Sequence, residues 1–190
     1  LTEYLFGDAK RLHRFDMSEY AAPGSALRLV GSYGGSEGSL TRRVREQPFG
    51  VVLFDEVEKA DGSVHDLLLQ LLGEGRLTDG TGRTVSFRNT VVMLTSNLGA
   101  DTASRSLGFG DAAAVRDAST HYTSAAAAFF RPELLNRFDH VVPYHPLSAQ
   151  TVATIARRAL QKALEREGIA RRAIPVRYDD AVVARLAALG

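Results

Sequence analysis

Apolar residues in this chain come mostly in short blocks between polar or glycine-rich breaks. Val51-Val52-Leu53-Phe54 follows Gly50 and ends in two acids. Thr90-Val91-Val92-Met93-Leu94 ends at Thr95-Ser96-Asn97. Blocks this short, rich in β-branched residues, predict strands buried on both faces. Residues 11–17 predict a further short strand ending at a polar corner, and Phe138 to Tyr144 a third strand candidate. Between the blocks the spacing changes. Val64 to Leu72 places apolar side chains at helical intervals, and Gly73 to Gly75 should end that helix. Leu40 to Glu46 reads as a short arginine-bearing helix, and Leu1 to Phe6 as another helix.

Arg76 to Phe87 predicts a hairpin turning at Asp79-Gly80-Thr81-Gly82. Gly31 to Ser39 is too glycine-rich for regular structure. Ala100 to Asp117 reads as a mobile loop between helical pieces, with a helix following through Phe130. From Leu147 the texture becomes helical. Ser148 should cap a long helix reaching about Glu167, and another begins near Asp179. The expected boundary lies near Pro146, giving a unit of residues 1–146 and a second of 147–190. Strands alternating with helices imply an α/β fold with a mostly parallel sheet flanked by helices.

Composition narrows the function classes. Twenty-three basic residues face 22 acidic ones, a net charge of +1. A dedicated nucleic-acid binder would carry a basic excess, so no nucleic-acid partner is expected. There is no cysteine, which removes disulfides and thiolate metal sites and suits a cytoplasmic protein. No apolar run approaches the roughly 20 residues of a membrane span, so no membrane partner is expected. Five scattered histidines lack metal-ligand spacing.

The chemistry concentrates at two strand ends and one arginine-bearing segment. At the carboxyl end of a buried parallel strand, side chains open into a ligand crevice. Asp55 there could hold magnesium through its waters, since that hard cation wants oxygen ligands. Glu56 could polarise a water attacking a γ-phosphate. An acid pair also suits the first turn of a helix, where it favours the macrodipole. Asn97 could hydrogen-bond the same water or the phosphate, although strands often end in such turns. In Phe130 to Arg137, an exposed arginine could stabilise charge on a phosphoryl group in a neighbouring subunit, or simply join a local ion pair.

Four blocks occur in a specific order: Phe15 to Tyr20 (FDMSEY), Val51 to Ala60 (VVLFDEVEKA), Gly75 to Gly99 (GRLTDGTGRTVSFRNTVVMLTSNLG) and Phe130 to Phe138 (FRPELLNRF). In these the chain resembles the second ATPase module of the Clp family of AAA+ unfoldases and disaggregases. The resemblance implies an AAA+ P-loop NTPase-type sheet followed by the start of a small helical lid. It implies ATP and magnesium as cofactors, with Asp55 serving the metal, Glu56 activating water, Asn97 sensing the nucleotide and Arg137 acting in trans. Arg131 is a second candidate for the trans role, in contact with the nucleotide. It further implies a homohexamer that works on unfolded or aggregated protein substrates.

Two segments bear on partners. Tyr33 stands where relatives carry an aromatic pore loop that grips the translocating chain. The segment looks several residues short between Ser32 and Tyr33, and a solvated turn tyrosine is the alternative. Leu107-Gly108-Phe109 matches the tripeptide that docks on a ClpP-like peptidase, or is a casual loop sequence. No G-x-x-x-x-G-K-[ST] phosphate loop occurs in these residues. The expectation is therefore a segment of a longer chain that alone binds ATP poorly. Against the ATPase stands a non-catalytic module that kept the fold and lost nucleotide binding. A DNA-associated AAA+ switch is disfavoured by the charge balance.

Overall fold

The computed structural model describes residues 1–100, 112–144, 147–165 and 176–189. Three parallel strands form its centre, in the order β1-β2-β5. They are β1 (Leu12–Asp16), β2 (Gly50–Asp55) and β5 (Thr90–Leu94). Leu12 to Asp16 pair with Val51 to Asp55, and Gly50 to Phe54 pair with Thr90 to Leu94. All three strands therefore deliver their carboxyl ends to one edge of the sheet.

β2 is the central strand, and most of its apolar block is buried as expected: Val51, Val52 and Phe54 are inaccessible to solvent, while Leu53 is half-buried. β5 departs from the expectation. Its residues alternate, with Val92 and Leu94 packed on the core while Val91 and Met93 are exposed. The reason is position: β5 is an edge strand among the described residues, and only one of its faces meets the core. Phe138 to Tyr144 departs further, because it forms no strand. A strand needs a ladder partner, and this run has none among the described residues. Pro143 also lacks an N–H to offer. Phe138 instead turns its ring edge-on to Phe130, with centroids 6.0 Å apart.

The helices are α1 (Thr2–Phe6), α2 (Ala26–Val30), α3 (Ser39–Glu46), α4 (Gly62–Glu74), α5 (Ala112–Phe129), α6 (Pro132–Leu135), α7 (Ala149–Leu164) and α8 (Asp180–Leu189). α4 buries Val64, Leu68 and Leu71, one stripe of an amphipathic helix. Asp61 caps it by accepting from the Ser63 amide, and Gly75 closes it in the left-handed conformation at φ 65°. α5 begins before the expected loop ends, so residues 112–117 are helical rather than loop. Residues 101–111, including Leu107, Gly108 and Phe109, lie outside the described residues.

The hairpin forms as anticipated from β3 (Arg76–Thr78) and β4 (Thr84–Ser86), with Leu77 opposite Val85 and both buried. Its turn is organised by Asp79. One carboxylate oxygen accepts from the Thr81 amide (2.9 Å), the Thr81 hydroxyl (2.6 Å) and the Arg83 amide (2.9 Å).

The core joins Phe15, Met17 and Tyr20 with Leu29, Leu40, Val44, Phe54 and the α4 stripe. Phe15 and Phe54 stack across β1 and β2 at 6.0 Å. Two compact units divide the chain, Leu1–Ser106 with Thr120–Pro143, and Leu107–Ser119 with Tyr144–Gly190. In the second, Ser148 caps α7 through the Thr151 amide, and Arg157 of α7 pairs with Asp180 of α8 at 2.5 Å. No helix among the described residues is long and apolar enough to cross a membrane.

Candidate functional site

β2 ends at Asp55, and the next residue leaves the strand by an unusual turn. Glu56 has φ 57° and ψ 51°, the one non-glycine residue with positive φ among the described residues. A left-handed conformation costs a residue with a Cβ about 1–2 kcal/mol, and such strain collects at functional sites. The neighbouring strand end holds the turn in place. The Thr95 amide donates to the Phe54 carbonyl (2.9 Å), and the Thr95 carbonyl accepts from the Val57 amide (3.0 Å). Between these, the Thr95 hydroxyl accepts from the Glu56 amide at 3.1 Å and donates to Asp55 Oδ1.

Glu56 faces Asn97. The Asn97 side-chain amide donates to Glu56 Oε1 at 3.3 Å, and its backbone amide donates to Glu58 Oε1 at 2.9 Å. Lys59, one turn beyond Glu56, donates to Glu56 Oε2 at 2.7 Å. That hydrogen bond and charge raise the Lys59 ammonium above its ordinary pKa. Arg14, from β1, donates to Asp55 Oδ2 through Nε at 2.9 Å and also through Nη2. The Thr95 hydroxyl first, and then the Arg14 guanidinium, hold the Asp55 carboxyl below the usual carboxylate range. Asp16 lies beside Asp55 in register but turns its carboxylate back onto the Ser18 hydroxyl and amide. Those bonds lower its pKa in turn.

The donor set fits a hydrated magnesium ion. No group of three or more metal-ligating side chains assembles among the described residues, so no protein cage exists there. Magnesium usually keeps several waters and needs one or two carboxylates. Asp55 Oδ1 accepts one hydrogen bond, from Thr95, and an ionised carboxylate oxygen has about two lone-pair sites. The Arg14 side chain covers Oδ2, which leaves Oδ1 as the oxygen for a metal-bound water.

The two arginines differ. Arg131 precedes α6 and pairs with Asp66 of α4 at 2.7 Å. Arg137 follows α6, is exposed, and makes no ion pair among the described residues. Its guanidinium rests on α4, where a Cβ added at Gly73 would sit 3.6 Å from the guanidinium carbon. Buried Phe130 and Leu134 anchor this segment. The Phe130 ring meets His65 of α4 edge-on at 6.0 Å, and His65 Nε2 lies 3.1 Å from the Val57 carbonyl. α4 thus touches both the acid turn, through His65, and the arginine segment.

Tyr33 is fully exposed at the tip of a closed loop. Gly31 bridges to Glu37 across the loop base, and the Gly34 amide donates to the Gly80 carbonyl at 3.2 Å. The Gly80 amide donates in turn to the Val30 carbonyl at 2.9 Å. The hairpin turn is therefore joined to the Tyr33 loop through main-chain hydrogen bonds. Gly80 is required there, since a Cβ would lie 2.4 Å from the Ser32 carbonyl oxygen.

Asp55, Glu56 and Asn97 are brought together, whereas Arg131 is engaged with Asp66. Sequence reasoning missed Thr95 as a side chain, along with Arg14, Glu58 and Lys59. Only Lys59 left a local trace, three residues after Glu56. The others depend on strand register across about 40 positions.

The AAA domain family, Cdc48 subfamily, matches residues 1–141. Among curated relatives, the chain is 42% identical over its whole length to the chaperone protein ClpB of Corynebacterium efficiens and 41% identical to that of Vibrio cholerae. It is 46% identical over 85% of its length to the ClpB of Rhizobium meliloti. It spans 21%, 22% and 19% of these relatives respectively. Among solved structures, Hsp104 in a closed state with ATPγS and FITC-casein superposes with a TM-score of 0.73 at 33% identity, over 87% of this chain and 29% of that one. A Saccharomyces cerevisiae Hsp104–casein complex in an extended conformation gives 0.72 at 34%, with the same coverage. With the family model matching residues 1–141, most of its length, the chain belongs to the AAA domain family, Cdc48 subfamily.

Proposed function

We propose that this chain is the hydrolytic core of a ring-forming Clp-type chaperone that uses ATP to unfold, disaggregate or thread protein substrates. The observation carrying this reading is the meeting of Asp55, Glu56 and Asn97 across two adjacent parallel strands. In it, Asp55 would hold magnesium through water. Bound magnesium would supply charge neutralisation for the phosphates. Glu56 takes the proton of the attacking water, and Asn97 orients both the Glu56 carboxylate and that water. Arg137 is the better trans-acting arginine, because its guanidinium is not committed to an ion pair within the described residues. Arg131 would have to break its pair with Asp66 first.

The substrate class rests on Tyr33, whose exposed ring suits contact with an extended polypeptide. Both Hsp104 structures include casein, a protein. A homohexamer is part of the proposal because an arginine acting in trans needs a neighbouring protomer. Docking of Leu107-Gly108-Phe109 on a ClpP-like peptidase and a cytoplasmic location belong to the same proposal.

The test uses the intact protein. Glu56→Gln should bind nucleotide with near-normal affinity while steady-state ATPase falls at least about a hundredfold, the scale of removing a general base. Arg137→Ala should lose turnover that depends on assembly, and Arg131→Ala should lose less. Normal turnover in Glu56→Gln sinks the hydrolytic reading. Absence of nucleotide binding in the unaltered protein favours the non-catalytic module.

A further inference from the structure

We infer that Thr95 is the positioning residue of the acid turn: its hydroxyl sets the Asp55 carboxylate and the left-handed Glu56 backbone at once. The inference rests on the hydrolytic reading of Asp55 and Glu56. Its ground is a set of four hydrogen bonds from one residue to four successive residues. Thr95 reaches Phe54 and Val57 with its main chain, and Asp55 and Glu56 with its side chain.

The two kinds of bond do different jobs. The main-chain pair continues the β2–β5 ladder past its last register position, and any residue but proline could supply it. The hydroxyl pair cannot be supplied by an apolar side chain. A hydroxyl offers one donor and two acceptor sites, and here it uses both functions. Its proton goes to Asp55 Oδ1, and a lone pair takes the Glu56 amide. The donor bond leaves Oδ2 to Arg14, which fixes the rotation of the carboxylate. The acceptor bond satisfies the amide of the one non-glycine residue with positive φ among those described. Without it, nothing from a side chain compensates for the strain at that turn. The Glu56 carboxylate would then lose its fixed approach to Asn97 Nδ2. An error of about 1 Å in the placement of a catalytic group can lower a rate by about a hundredfold.

Thr95 is exposed, so replacing it neither opens a cavity nor disturbs the core. Valine keeps the branched shape and removes the hydroxyl, and serine keeps the hydroxyl and removes the methyl. In the intact protein, Thr95→Val should lower kcat by about tenfold to a hundredfold with KM for ATP changed far less. Thr95→Ser should restore most of that loss. A second readout avoids turnover altogether. Amide hydrogen exchange of the peptide spanning residues 54–58 should quicken in Thr95→Val and stay slow in Thr95→Ser, without added nucleotide. Equal kcat in the valine variant and the parent, with Glu56→Gln inactive, overturns the Thr95 assignment and leaves the hydrolytic reading intact. A serine variant as slow as the valine one also overturns it, because then the methyl and not the hydroxyl is what matters. If Glu56→Gln itself turns over normally, the hydrolytic reading fails first.

Discussion

The acid turn after β2 and the Tyr33 loop are both held firmly by their backbones, yet their side chains end in opposite ways. At the acid turn both carboxylates of the proposed site are engaged: Asp55 by Thr95 and Arg14, Glu56 by Lys59 and Asn97. In the Tyr33 loop the bonds that hold the tip are main-chain ones. Gly31, Gly34 and Gly80 are tied by main-chain contacts, and the aromatic ring beyond them is fully exposed. A group that must present one oxygen to one proton gains from being over-determined. On the proposed reading, a ring that meets many different chains gains from being left bare.

This contrast can be broken most sharply by exchanging the expected losses. Tyr33→Ala in the intact protein should abolish translocation of a fluorescent protein substrate while leaving basal ATPase within about twofold. The estimate follows because surface truncations away from special features change little else. A fall in basal turnover equal to that of an acid-turn variant would mean that the two regions are not separable.

A smaller effect is expected from the main-chain ties of the Tyr33 loop. Gly80→Ala forces a Cβ against the Ser32 backbone, an overpacking that costs about 1–3 kcal/mol. The melting temperature should drop by several degrees, with substrate handling impaired more than ATP binding. An unchanged melting temperature would show that the loop and the hairpin turn give way easily.

The smallest effect sits away from both regions. Burial pushes the His13 imidazole below its ordinary 6.5, helped by Arg43 and opposed by a Gln47 backbone hydrogen bond and Glu46. A lowered folded-state value favours the neutral ring. Its contribution to stability is thus complete above pH 6.5 and is lost as the pH falls through that value towards the lower folded one. His13→Gln should make melting temperature less sensitive to pH between about 7.5 and 5.5. Parallel curves for the two proteins would remove His13 from the pH response.

The central elements were legible because their signals are local. Val51 to Phe54 and Thr90 to Leu94 announce themselves as strands by composition, and Asp79 to Gly82 announces a turn by the chemistry of its residues. The pairing of Glu56 with Asn97 was also accessible, since both follow apolar blocks of a parallel sheet. What stayed hidden depends on neighbours. Phe138 to Tyr144 has strand composition but no ladder partner among the described residues. Val91 and Met93 are apolar but lie on a strand that is an edge among the described residues and has one packed face. In sequence only the family resemblance ranks Arg137 ahead of Arg131, and in the structure the ion pair of Arg131 with Asp66 on α4 separates them. The role of Thr95 needs β2–β5 register to one residue, because a slip of one would point its hydroxyl to the opposite face.

If Glu56 acts as proposed, its left-handed backbone also sets protein durability against turnover. Glycine adopts that conformation without a Cβ penalty, so a screen that rewards heat tolerance alone would tend to enrich the substitution Glu56→Gly. Such a variant would gain robustness by discarding its proposed proton acceptor.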